Sequence, residues 1–258
     1  MTNPNSNAGE RPDISVYWVP GCSSCLRAKE FVENLGMPFE SKNVAEDSEA
    51  MDEIVAAGLQ GIPVVRKGNR FVYAQYIDSV VQLFGLPATR ARLSKEQLLE
   101  RWENVLQKAR QIIANFSEAT LDRSVIEGRD RSVKVLSSHV FQINEAFQKM
   151  IDEGLTDTRD ISDIPRADIM SRSNLLDYID GVLADFQTWR RSGRADHIPD
   201  RLNTFYGEHP SLPVLERFVW HSAQHARQLD HVAAGLGAEL SIPPELYSDL
   251  PLPKRIWM

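Results

Sequence analysis

The apolar residues of this chain change their spacing once, and that change constrains the architecture more than any single residue. Up to about residue 86 they come in short β-forming runs broken by turn residues; Ile14 to Val19 is one such run, ending at Pro20-Gly21. From Ser94 onward they recur three and four apart, first as Leu98, Trp102, Val105, Ala109, Ile112 and Phe116. Between the two regimes lies Pro87-Ala88-Thr89-Arg90-Ala91-Arg92, with a proline, two arginines and no apolar period, which reads as a linker. A chain of 258 residues is long enough for two cores. The spacing therefore predicts a mixed α/β domain over 13–86, a helical domain over 94–238 and a C-terminal tail over 239–258.

In the first region, Cys22-Ser23-Ser24-Cys25 opens a helical pattern carried by Leu26, Ala28, Phe31, Val32 and Leu35, so Cys22 falls at a helix N-terminus. Free amide N–H groups and the helix dipole favour a thiolate there, which makes Cys22 the attacking thiol. Cys25, a turn further in, is placed to resolve a mixed disulfide. These are the only cysteines. Half of a structural zinc site is the competing reading, but no second cysteine pair exists to complete it.

A second strand is expected over Pro38 to Val44 and a second helix over Asp47 to Leu59. Gly61-Ile62-Pro63-Val64-Val65, a strand at Phe71 to Ala74 and a helix from Asp78 to Phe84 follow. This βαβαββα order, with Cys-x-x-Cys after the first strand and Gly61-Ile62-Pro63 opening the third, resembles the glutaredoxin branch of the thioredoxin fold. Asn43-Val44-Ala45-Glu46-Asp47 is similar to that family as well. The resemblance implies a thiol-redox domain in which Pro63 is cis and Ile62 and Pro63 offer backbone groups to a bound thiol. One feature departs from the family: the Gly-Gly pair that lets glutathione approach is replaced by Ala74-Gln75.

In the second region, Ser94 with Gln97 three residues on forms a capping-box signature for the first long helix. A second helix after Gly128 carries Leu136, Val140, Ile143, Phe147 and Met150; a third carries Leu176, Ile179, Leu183 and Phe186. The fourth starts near Ser211, has Pro213 in its first turn, and carries Leu215, Phe218, Leu229, Val232 and Leu236. His221 and His225 point the same way on this helix, and His225 interrupts the apolar stripe. A buried imidazole needs a partner, which is either a metal ion or a neighbouring polar group.

With His139 beside the stripe of the second helix, the four amphipathic helices resemble the DinB-like superfamily of metal-binding bundles. The resemblance implies that His139, His221 and His225 are ligands of a divalent metal, zinc by preference, with nickel or iron also acceptable to such a set. Gln228 and Gln142 are candidates for outer hydrogen bonds to those ligands or for substrate contacts, or else are ordinary polar residues at the stripe edge. His197, His209 and His231 are expected on the solvated surface.

A net charge of −7 argues against a nucleic-acid surface. No apolar run could cross a bilayer, and Met1 to Asn7 lacks the apolar core of a secretory signal, so a cytoplasmic location is expected. Ile256 and Trp257 in the tail would dock on a domain of the same chain or on a second subunit, which leaves a homodimer open.

The two resemblances together imply a transferase or isomerase dependent on a metal and on a low-molecular-weight thiol such as glutathione. Its partners would be a small thiol and an electrophile, with no nucleic acid or membrane involved. Two alternatives stand beside it. One is a glutaredoxin-type disulfide reductase whose bundle binds a partner, and the other is a redox- or metal-responsive binding protein.

Overall fold

The structure is a computed structural model and describes residues 12–87, 91–125 and 131–257. Residues 1–11, part of the linker and the loop at Gly128 lie outside them. The chain divides into two compact units, Met1–Ala88 and Thr89–Met258.

The first unit runs β1 (Ile14–Trp18), α1 (Ser23–Asn34), β2 (Glu40–Asn43), α2 (Ser48–Ala56), β3 (Val64–Lys67), β4 (Arg70–Tyr73) and α3 (Ile77–Leu83). Its sheet has the order β2-β1-β3-β4, with β1 and β2 parallel and the β1–β3 and β3–β4 pairs antiparallel. The two-residue alternation of the strands sorts the core onto two faces. Ile14, Val16 and Val65 pack with Ala28 and Val32 of α1 and with Val80 and Leu83 of α3. Tyr17 and Val64 pack with Ala50 and Ile54 of α2. Asp47 caps α2 by accepting from the Ala50 amide at 3.0 Å.

The second unit contains α4 (Lys95–Ile113), α5 (Glu118–Leu121), α6 (Val133–Glu153), α7 (Arg159–Ser162), α8 (Arg172–Arg191), β5 (Arg201–Thr204), β6 (Gly207–Pro210) and α9 (Ser211–Gly235). The long helices form a four-helix bundle in which α4 and α6 each pack against both α8 and α9. Ser94 and Gln97 make the reciprocal capping box that starts α4. Trp102, Phe147, Phe186 and Trp189 form an aromatic cluster at the bundle centre.

The fold class read from the sequence, a thioredoxin-like α/β domain followed by a four-helix bundle, is the one observed. Several details differ. The buried stripe of α8 is Leu175, Ile179, Val182, Phe186 and Trp189, so Leu176 and Leu183 sit at its edge. Phe116 is buried but lies past the end of α4. Leu236 follows α9 and is 48% exposed, because the core partners end with Ala233. The hairpin β5–β6 was not expected; Gly207, at φ 115°, makes its turn in a conformation that L side chains rarely adopt. His209 therefore stands in a strand and stacks on Tyr206 at 5.3 Å, whereas His197 and His231 are exposed. Among the described residues, no helix is long and apolar enough to cross a membrane.

Candidate functional site

Cys22 is the N-cap of α1, and its sulfur accepts from the Cys25 amide at 3.1 Å. The N-cap residue stands where the first amides of a helix have no partner within it, so a negative charge on Cys22 would be met by a ready donor. In this structure the two sulfurs are joined as a disulfide, with 5.2 Å between the Cα atoms. Cys25 is fully buried and Cys22 is half-buried, so the outer sulfur is the accessible one.

Tyr17 pairs with Val64, which puts Pro63 at the end of the sheet from which β1 leads into the Cys22 loop. The Ile62–Pro63 peptide is cis, as the resemblance implied. The Ile62 carbonyl already accepts a hydrogen bond from Gln75 Nε2 at 2.6 Å. Gln75, where a glycine was expected, is buried, and its side chain occupies space next to that carbonyl.

The second constellation is assembled by packing between α6 and α9. Ser222 Oγ donates to the Val140 carbonyl at 3.1 Å and pins the helices together beside the histidines. The rings of His139 and His225 have centroids 4.7 Å apart, those of His139 and His221 5.4 Å, and those of His221 and His225 4.9 Å. One ligand-type atom from each of His139, His221 and His225 can be chosen so that all lie within 4.8 Å of one another. His225 Nε2 and His221 Nε2 are 3.2 Å apart.

Two of the rings are held from behind. His139 Nδ1 lies 2.5 Å from the Ser162 carbonyl at the end of α7, and His225 Nδ1 lies 2.7 Å from Gln228 Oε1. A carbonyl oxygen can only accept, so His139 carries a proton on Nδ1, which in the neutral ring leaves the lone pair on Nε2. Desolvation by the surroundings, then the nearby His225 and the charge of Arg217, hold the His221 ring well below the ordinary histidine range and therefore neutral. Imidazoles whose ring nitrogens face one another fit, once neutral, a divalent transition metal. His139 and His225 are buried, whereas His221 keeps partial exposure.

The sequence-predicted residues thus fall into two groups, Cys22, Cys25, Ile62 and Pro63 in the first unit, and His139, His221, His225, Gln142 and Gln228 in the second. Gln228 reaches a ligand-type histidine directly. Gln142 instead donates to the Ile161 and Ile164 carbonyls, both at 2.8 Å, and so anchors the turn that presents Ser162 to His139. Sequence reasoning missed the Ser162 carbonyl, and no side-chain signal could have found it.

A glutaredoxin family model matches residues 14–72, within the first unit. Among curated proteins, none matches the chain significantly. Among solved structures, the chain is similar to YfiT from Bacillus subtilis, described as "a probable metal-dependent hydrolase with an unusual four-helix bundle topology". The two are 17% identical with a TM-score of 0.44, and the match covers 59% of this chain and 95% of that one.

Proposed function

We propose that the chain is a metal-dependent transferase or isomerase that uses a low-molecular-weight thiol, with glutathione the first candidate. His139, His221 and His225 would hold a divalent cation, zinc by preference, and Cys22 and Cys25 would exchange or release the thiol. The observation that carries this reading is the convergence of three imidazoles from α6 and α9 in a chain whose other unit matches a glutaredoxin family model.

When bound, such a cation lowers the pKa of a coordinated thiol or water, so that a nucleophile exists near neutral pH. The chain's own residues supply the rest. Ser162 and Gln228 keep the His139 and His225 rings oriented. His221, the partly exposed ring, is the side from which a small thiol would arrive. The bundle contains no cysteine, so the sulfur that attacks the electrophile comes from the free thiol.

On the redox side, the Cys22 thiolate attacks one sulfur of a mixed disulfide, breaks the S–S bond and expels the other half as a thiolate. Cys25 then attacks the Cys22 sulfur, releases the remaining thiol and leaves the Cys22–Cys25 disulfide. Two molecules of small thiol restore the dithiol and are themselves oxidised to a disulfide.

The test is thiol consumption against haloaromatic, epoxide and unsaturated-acid electrophiles, in the wild type, His221→Ala and Cys22→Ser. Loss of consumption in His221→Ala, with the first addition spared in Cys22→Ser, supports the proposal. Unchanged consumption in His221→Ala would overturn it and leave a plain disulfide reductase.

A further inference from the structure

The C-terminal segment has no part in the chemistry above, yet it is fastened to the turns of α9 around His225. Gln228 Nε2 donates to the Ile256 carbonyl at 2.8 Å, and Gln224 Nε2 donates to the same oxygen at 2.9 Å. Arg227 Nη2 reaches the Arg255 carbonyl at 2.7 Å and the Pro253 carbonyl at 2.9 Å. Every acceptor is main chain, so the path of the tail matters here more than its side chains. Gln228 and His225 are 3% and 1% exposed, so water is not at hand to replace either partner.

A carboxamide has a donor end and an acceptor end of nearly the same shape, and a half-turn exchanges them. The Ile256 carbonyl can only accept. It therefore draws the amide NH2 toward the tail and turns the amide oxygen toward His225, where Oε1 lies 2.7 Å from Nδ1. An oxygen at that place requires the ring proton on Nδ1. In the neutral ring the lone pair then sits on Nε2, the atom 3.2 Å from His221 Nε2.

We propose that residues 253–257 are a built part of the metal centre, in which the Ile256 carbonyl, acting through Gln228, holds His225 in the tautomer whose Nε2 can bind a cation. Gln228 and the tail are positioning groups, since neither touches the ion. The inference rests on the metal reading above. Without the tail, Gln228 can present its NH2 end to Nδ1, which moves the ring proton to Nε2 and closes that atom to a metal. No net protonation change is involved.

The experiment compares the full chain, a chain ending at Leu252, and that shortened chain carrying Gln228→Glu. A carboxylate accepts through both oxygens, so glutamate holds the Nδ1 proton with no help from the tail. Two readouts are taken: nitrogen-15 shifts of the imidazoles in metal-free protein, which report the tautomer, and zinc affinity by competition with a chromogenic chelator. The full chain is expected to show His225 protonated on Nδ1. Shortening should give a mixture or the other tautomer, with zinc bound about 10- to 100-fold more weakly, the range for loss of an outer partner of a ligand. Gln228→Glu should return the shortened chain to the Nδ1 tautomer.

The inference is overturned if the shortened chain keeps that tautomer and its affinity, or if Gln228→Glu does not restore it. Should shortening unfold the bundle, Gln224→Leu with Arg227→Ala in the full chain loosens the tail while leaving Gln228 in place, and the same tautomer shift is expected. A full chain that binds no zinc ends the metal reading, and the nitrogen shifts then still decide whether the tail governs His225.

Discussion

Cys22 and Cys25 share the first turn of one helix, whereas His139 and His225 lie on helices separated by α7, α8 and the β5–β6 hairpin. The thiol pair has its chemistry set by local backbone: a helix N-terminus supplies the Cys25 amide to the Cys22 sulfur whatever the rest of the molecule does. The histidines have theirs set by packing. Ser222 must hold α9 against Val140, Ser162 must be brought over His139, and Gln228 must face His225. A local site tolerates distant change; an assembled one inherits every contact that positions it.

The largest effect that would break this comparison is a crossing of the two chemistries. Cys22→Ser should abolish disulfide reduction and leave zinc content unchanged. His225→Ala should remove zinc and leave disulfide reduction intact. Steady-state assays and elemental analysis of the two purified variants check both, and loss of both properties in either variant would show that the sites are not independent.

Metal removal should act on one unit only. At a free zinc concentration 100 times its dissociation constant, binding stabilises the bundle by about 2.7 kcal/mol. For a domain of this size that is about 5–10 °C in Tm. Calorimetry with and without a chelator should move the transition of the bundle and leave that of the glutaredoxin-like unit in place.

A smaller effect sharpens the account of the assembled site. Gln142→Leu frees the Ile161 and Ile164 carbonyls and loosens the turn behind His139. Zinc affinity should fall about tenfold, with thiol exchange at Cys22 unchanged. The smallest expected effect is on the local site. In the reduced protein, Cys22→Ser retains an oxygen that can cap α1, whereas Cys22→Ala loses the cap and should be less stable than Cys22→Ser by about 1 kcal/mol in denaturant unfolding.

The same contrast explains what was legible in the sequence. The order of elements in the first unit could be read because Pro20-Gly21, Gly36 and Gly61 punctuate short runs, and the Cys22 site could be read because four residues of sequence contain it. His221 and His225 were legible as a pair through helical spacing, and Gln228 through its place one turn on. The hairpin β5–β6 escaped because its strands are four residues each, with only Leu202 and Thr204 buried in the first and none in the second. The Ser162 and Ile256 carbonyls escaped for a deeper reason: every residue has a carbonyl, and only the tertiary fold says which ones matter. Gln75 was noted as a departure, but its bond to Ile62 depends on how β4 delivers it to β3.

The central claim is that His139, His221 and His225 share one divalent ion, and X-ray absorption at the zinc edge of zinc-loaded full-length protein tests it most directly. The account predicts one bound zinc per chain with three imidazole nitrogens and no sulfur in its shell. A shell containing sulfur, which would place the ion at Cys22 and Cys25, or the absence of bound zinc, nickel or iron after loading with each, would contradict it.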